Sequence, residues 1–520
     1  MLEKLPGVSK TIQEREQLSL YEYAEGLFQH SAKSIQPRDD LIEVIGAYSG
    51  RLLGRETAAL LQRHFEETPV VLTANHHGVS YKTITLHGQI IFALPRIFDT
   101  SAEGIPVVPV LACGIVPLNN VTFPRGIALA REIEVAISPE SKIKTFLKMP
   151  VIPGKFSQSM VSVAGPITES MVSRALKVAE KLFRQGVILE CERNAIVSLL
   201  GEEYSRTEVL SQPDYSDQAV ILNRSVWRRV FSAAVRKGLP DMAYLEMERV
   251  VSALMEKDIL NPESLMHNIF FDPVLRTEIL GRLDGKRGCW DHQKLVHLSG
   301  FNGDHHPGGG AFRGCGTEFF CFVDDRGRRV PGMLSRAGSS LTLRGIAPGK
   351  DISLPFTPEA LCNGLRQRRL IPGLFVSFAT LAFARGLKCI GGFMQVEYLP
   401  TMQRSLVQAL ECRGLHDWAQ NVAQVPTANF VTGMNVAFSV YPDGDVKPAG
   451  AVELIAGGGL TEKDLEKIRA IPVYEANMSG LLESYSEVVF DKNQSKDLLS
   501  SISEGDLERF RNKLVRIRLN

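Results

Sequence analysis

Short apolar runs closed off by turn residues alternate with stretches of helical spacing, and this alternation restricts the fold more than any single motif. Val70-Val71-Leu72 lies between Pro69 and a polar turn, and a second run spans Ile105 to Leu111. Runs this short, flanked this way, suit strands buried on both faces. Met160 to Ala164 is a third candidate. After Gly165-Pro166 comes a helix with Met171, Ala175, Val178, Ala179 and Leu182 on one face, stopped at Gly186, and then a strand signal from Val187 to Glu192. Strand, amphipathic helix and strand in that order predict an α/β fold, with mainly parallel sheet units and helices packed over them.

The alternation changes along the chain and divides it into segments. Residues 1–66 are polar with helical spacing and read as a helical lead-in, and 67–215 as an α/β domain. Residues 216–282 carry helical character without strand signals and read as a helical module. Residues 283–459 read as a second α/β domain with a glycine-rich loop, and 460–520 as a C-terminal helical tail. Within the second domain, Glu318 to Val323 and Arg328 to Leu334 flank a turn at Asp324-Asp325-Arg326-Gly327, and an apolar helix over 373–385 precedes a strand at Leu387 to Ile390. Val436 to Val440 and Val446 to Ile455 surround Tyr441-Pro442-Asp443-Gly444-Asp445, a C-terminal β-hairpin signal.

Composition removes several function classes. The chain has 520 residues, 59 basic against 58 acidic, and a formal charge of +1, so no bulk field draws it to nucleic acid or to an anionic membrane. Eight dispersed cysteines do not form a disulfide framework, and Met1 to Gly7 lacks the order of a secretory signal, so a cytoplasmic location is expected. The longest apolar run, Leu370 to Ala384, carries Pro372, Gly373, Ser377 and Thr380 and is short for a bilayer span. The expected partner is a small-molecule substrate, with no membrane span and homo-oligomerisation left open.

Eight of the 11 histidines fall in two neighbourhoods, 76–87 and 267–306, which marks where chemistry is concentrated. The richer one contains Asp304-His305-His306-Pro307-Gly308-Gly309-Gly310 and then Cys315. Imidazole and thiolate are zinc ligands, so His305, His306 and Cys315 are candidate holders of a divalent metal. The spacing is not that of a finger or ribbon, because no Cys-x2-Cys occurs. Asp304-His305-His306 shares its letters with the DHH phosphoesterases, but no apolar strand precedes it and no matching upstream aspartate set is present, so that assignment is set aside.

Asn75, His76 and His77 follow the first strand directly, and ligands in open α/β sheets bind beyond the carboxyl ends of strands. These three are candidate catalytic residues, with one imidazole handling protons. Glu190, two positions from Glu192 in a strand signal, joins them as a carboxylate facing the same way as its neighbour. Gly391-Gly392 lets a ligand approach the backbone, so Gly392, Gln395 and Glu397 are candidate substrate contacts, together with Arg313 in the glycine-rich loop. No dinucleotide fingerprint or P-loop occurs, so no nucleotide cofactor is expected. The combined expectation is an enzyme acting on a small polar or acyl-bearing metabolite, metal-assisted, with its site between the 75–78 turn and the 301–317 loop.

Two further readings accompany it. Asn75-His76 with position 81, and Thr122-Phe123-Pro124-Arg125-Gly126, resemble the Asn-His-x4-Asp and Phe-Pro-Glu-Gly blocks of glycerolipid acyltransferases. The resemblance implies acyl transfer without metal, with His76 as general base and the apolar 370–385 segment lining an acyl pocket. Tyr81 stands where the family has its aspartate, and Arg125 where it has glutamate. The other reading is a non-catalytic binding or assembly protein in which both histidine doublets are structural.

Overall fold

The computed structural model describes residues 5–29, 34–73, 75–98, 106–138, 141–299, 315–338, 340–347, 350–488 and 513–520. Its centre is a five-stranded parallel sheet in the order Phe430–Thr432, Lys388–Gly392, Val70–Leu72, Val107–Ala112 and Asp241–Glu246. The strands are buried apart from half-exposed Gly392, which explains why they read as continuous apolar runs rather than as alternating ones. Together with the flanking helices they make the fold α/β, as the alternation predicts.

The chain lays down the middle strand first, adds two strands on one side, and returns to add two on the other. The order therefore reverses between Val70–Leu72 and Lys388–Gly392, the position at whose carboxyl ends open α/β sheets generally bind their ligands. The crossover helix Thr83–Phe98 is apolar nearly all round because it is covered on both sides, by the sheet and by the helix Leu20–Leu27.

The lead-in consists of four helices, Pro6–Arg15, Leu20–Leu27, Asp39–Leu53 and Arg55–Glu67. It is tied to the rest by Arg385, a fully buried guanidinium bonded to both Asp40 and Asp258. A second, antiparallel sheet runs Leu370–Pro372, Phe320–Val323, Arg329–Ala337, Ser340–Ala347 and Lys350–Pro355. The C-terminal hairpin is present as Ala437–Val440 paired with Val446–Pro448, and Val515–Arg518 adds a third strand parallel to the first of these. No helix among the described residues is long and apolar enough to cross a membrane. The run 370–384 is split into the strand Leu370–Pro372 and the buried helical stretch from Leu374 to Ala384.

Several local expectations are corrected. Asp241–Glu246, inside the expected helical module, is the edge strand of the parallel sheet. Its terminal charges hid it. Asp241 is neutralised by Arg224 and accepts from Thr57, and Glu246 is held by Arg368 and Ser216, all of them distant in sequence or on other elements. The sheet thus draws strands from three of the segments that composition separates. Residues 187–192 are not a strand. Glu190 and Glu192 open the helix Glu190–Ser198, where carboxylates favour the helix N-terminus, and Glu192 Oε2 accepts the Leu189 N–H at 2.7 Å. Val161–Val163 is a 3-10 turn rather than a strand. The hairpin Gly126–Ser138 with Ser141–Pro150 carries no signal recognised in the sequence.

Candidate functional site

Beyond Leu72 the central strand continues to pair with its neighbour. His77 N–H donates to Cys113 O, and Cys113 N–H donates to Asn75 O, each at 2.8 Å. This extension fixes Asn75, His76 and His77 at the carboxyl edge of the sheet. Gly78 then turns the chain at φ +107°, and a Cβ there would stand 2.5 Å from Pro124 Cβ. Glycine is needed at this position for both conformation and space. Tyr215 fastens the same junction, its hydroxyl donating to Pro124 O and accepting the Val79 N–H at 3.1 Å. The 75–81 and 120–126 segments, far apart in the chain, therefore lie side by side.

The bonding around Asn120 settles the tautomer of His76. Asn120 Oδ1 accepts the Thr122 backbone N–H at 3.1 Å, and a backbone N–H can only donate, so the side-chain atom facing it is the carbonyl oxygen. That same oxygen lies 3.0 Å from His76 Nδ1, which must carry the proton. The lone pair is then on Nε2, which has no hydrogen-bond partner among the described residues. Burial, and secondarily Lys82, lowers the His76 pKa to about 4, so the ring is neutral at ordinary pH.

His77 belongs to a different network. The Ser216 hydroxyl donates to Glu246, leaving its lone pair toward His77 Nε2 at 2.9 Å, so Nε2 is the protonated nitrogen. The serine proton goes to the carboxylate rather than to the imidazole, which is the wrong order for an activated nucleophile. Burial would raise the Glu246 pKa, but Arg368 and Arg249 more than offset this and hold it below the usual value. Arg368 makes this contact from a left-handed backbone at φ +53°, which costs about 1 kcal/mol for a residue with a Cβ.

Asn75 is 1 % exposed, and among the described residues neither of its amide atoms has a hydrogen-bond partner. A buried amide left unpaired is costly, and a ligand offering a donor and an acceptor would recover that cost. Gly392 and Gln395 lie across the crevice at the end of the next strand, so these candidates and Asn75 share one edge. Gln395 is already occupied, exchanging bonds with Thr73 Oγ1 at 2.9 to 3.0 Å and donating to Cys389 O.

The other predicted residues are not brought to this edge. Glu397 Oε1 accepts the N–H groups of Gly7 and Val8 at 2.9 and 3.1 Å, anchoring the first helix. Glu190 is largely exposed and sits 3.8 Å from Arg193 on its own helix. Cys315 is fully buried, and burial raises its thiol pKa. His305, His306 and Arg313 lie outside the described residues, as does the 301–314 wall of the expected shared cleft. Among the described residues no group of three or more His, Cys, Asp or Glu side chains is arranged to hold a metal ion.

Sequence reasoning missed Asn120, Ser216, Glu246, Glu248 and Arg249, and took Thr122 only as the start of the 122–126 block. The readable signal was Met242 to Leu245 followed at once by Glu246, Glu248 and Arg249, an apolar run ending in charges at a sheet edge. These last three help to line an open cleft of about 320 Å³ that also includes Asp214, Arg368 and Ile371. No family model, curated protein or solved structure matches the chain.

Proposed function

We propose that this chain transfers an acyl group from a thioester to a hydroxyl or amine of a small acceptor, without a metal, using His76 as general base. The observation that carries the reading is the tautomer of His76: Asn120 takes the Nδ1 proton, so Nε2 presents its lone pair at the carboxyl edge of the sheet. The packing of 75–81 against 120–126 supports it too, because these segments resemble two blocks of glycerolipid acyltransferases. The orienting role of the family's aspartate passes to Asn120. Tyr81, in the aspartate's position, is buried and bonded to the Tyr204 hydroxyl at 3.0 Å.

In the proposed step Nε2 accepts the acceptor's proton as its oxygen or nitrogen attacks the thioester carbonyl. The new bond to the acyl carbon forms, the C–S bond breaks, and the proton passes from Nε2 to the departing thiolate. Asn75, with an unpaired buried amide on the same edge, is the candidate donor to the carbonyl oxygen as it becomes negative.

A panel of acyl thioesters and small acceptors, with thiol release followed by a thiol-reactive chromophore, tests the reading. His76→Ala and Asn120→Ala should each lose about 100-fold or more of the turnover. Asn120→Asp keeps all three acceptor contacts and should retain activity. Thioester turnover that His76→Ala leaves intact, or a wild-type protein inert toward the whole panel, would overturn the proposal.

A further inference from the structure

The chain is near neutral overall, but its charge is unevenly spread. From Cys113 to Arg131 and from Phe146 to Thr168 no acidic residue occurs, while Arg125, Arg131, Lys148 and Lys155 do. Glu132 and Glu134 come next along the hairpin, where Glu134 is in register with Lys144. The two basic stretches lie together. Leu118 N–H donates to Ser159 O at 2.9 Å, and the N–H groups of Val151 and Ile152 donate to Arg125 O at 3.0 and 2.9 Å.

Arg125 is the centre of this patch. Its guanidinium stands 4.9 Å from the centre of the Phe123 ring, and the Lys148 ammonium stands 5.7 Å from the same ring. Phe123 holds its place with a left-handed backbone at φ +51°, which residues with a Cβ rarely adopt. Arg125 Nη1 donates to Ile152 O at 3.3 Å, and Nε is buried with no partner among the described residues. Burial alone displaces its pKa, downward, with no carboxylate opposing it. By contrast Arg229, Arg249 and Arg368 meet carboxylates at 2.7, 2.9 and 2.5 Å.

A separate observation shows where a ligand would enter. Among the described residues a Cβ on Gly154 would meet one atom within 4 Å, Arg125 Nη1 at 4.0 Å, so open space stands directly beside the guanidinium. Gly154 is itself exposed. The patch adjoins the segment that holds the proposed base: Pro124 packs on Gly78, and Thr122 Oγ1 is 3.4 Å from His76 Nδ1. An arginine partly withdrawn from water, with a second cation on the same ring and no carboxylate of its own, suits an anion supplied from outside.

We infer that Arg125, with Lys148, binds an oxyanion group, phosphate or carboxylate, of a small soluble molecule at the opening beside Gly154. The guanidinium fork matches either group with two parallel hydrogen bonds. Arg125 stands where glycerolipid acyltransferases carry glutamate, so the charge here is the reverse of theirs and the preference is this chain's own. The inference deepens the acyl-transfer reading by giving one substrate an anionic group, and it rests on that reading only for the reaction which the bound molecule enters.

The full chain is titrated by calorimetry with ethyl phosphate and propionate at low, fixed ionic strength, with propionamide and methylammonium as controls. At least one oxyanion should bind, and the controls should not. Arg125→Gln removes the charge and should weaken binding about tenfold or more, and Lys148→Gln severalfold. Gly154→Asp sets a carboxylate beside Nη1 at an exposed position, so it should abolish binding without lowering Tm, and it serves as the test if Arg125→Gln does not fold. His76→Ala should bind the oxyanion as the wild type does, which separates this site from the acyl-transfer proposal. A wild type that binds neither oxyanion, controls that bind equally, or Arg125→Gln and Gly154→Asp variants that bind as the wild type does would overturn the inference. So would a chain that sediments with phosphatidic acid vesicles while ignoring both soluble oxyanions.

Discussion

Glu248→Gln makes the sharpest prediction about stability. The carboxyl is raised from 4.5 to about 7 by burial and by Glu246, against smaller opposing contributions from the Gly114 N–H and the Cys113 thiol. A carboxyl whose folded-state pKa exceeds its unfolded value contributes stability that is fully present below pH 4.5 and is lost as pH rises toward 7. The displacement corresponds to about 3 kcal/mol once both states are ionised. The substituted side chain would fit the same space, accept from Gly114, and carry no charge to bury. Between pH 5 and pH 8 the variant should therefore gain about 2–3 kcal/mol on the wild type. For a chain of this length that is about 2 °C in Tm. Parallel melts and urea titrations at the two pH values measure the difference of differences. A variant whose offset from the wild type is the same at both pH values would refute the reasoning, because a packing change alone carries no pH dependence.

Acid should act on the imidazoles with the opposite sign. His64, His76 and His87 are each lowered by burial from 6.5 to about 4, so the stability they contribute is present above pH 6.5 and lost as pH falls toward 4, about 3 kcal/mol for each ring. Circular dichroism against pH should show unfolding in that window, and His64→Gln, whose amide can still donate to Val70 O, should move the midpoint to lower pH. Arg385→Met should cost about 3–5 kcal/mol, because Asp40 and Asp258 keep their charges without the buried guanidinium between them. Adding Asp40→Asn and Asp258→Asn should recover much of that loss in the same denaturation assay.

Much of the architecture was legible because it rests on local pattern. The strand Val70–Leu72, the helix after Thr168 ending before Gly186, the turn at 324–327 and the C-terminal hairpin each carry their periodicity and their stop signals within a dozen or so residues. The placement of Asn75, His76 and His77 after a strand was legible for the same reason. Two of the failures turned on how charged side chains are satisfied. Asp241–Glu246 reads as helical until Arg224, Arg368 and Ser216 are known to satisfy its ends. Glu190 and Glu192 look like strand carboxylates until the helix N-terminus they open is seen.

The sequence by itself determined the α/β class, the carboxyl-edge position of the histidine doublet and the glycine that turns the chain after it, since backbone propensity and buried runs are written residue by residue. Only the tertiary structure decided that His76 and His77 serve different networks, that Asn120 holds the Nδ1 proton, and that Arg125 meets no carboxylate among the described residues. Those facts depend on which donors stand within about 3 Å of which acceptors across tens or hundreds of residues of chain, and no local pattern encodes that distance.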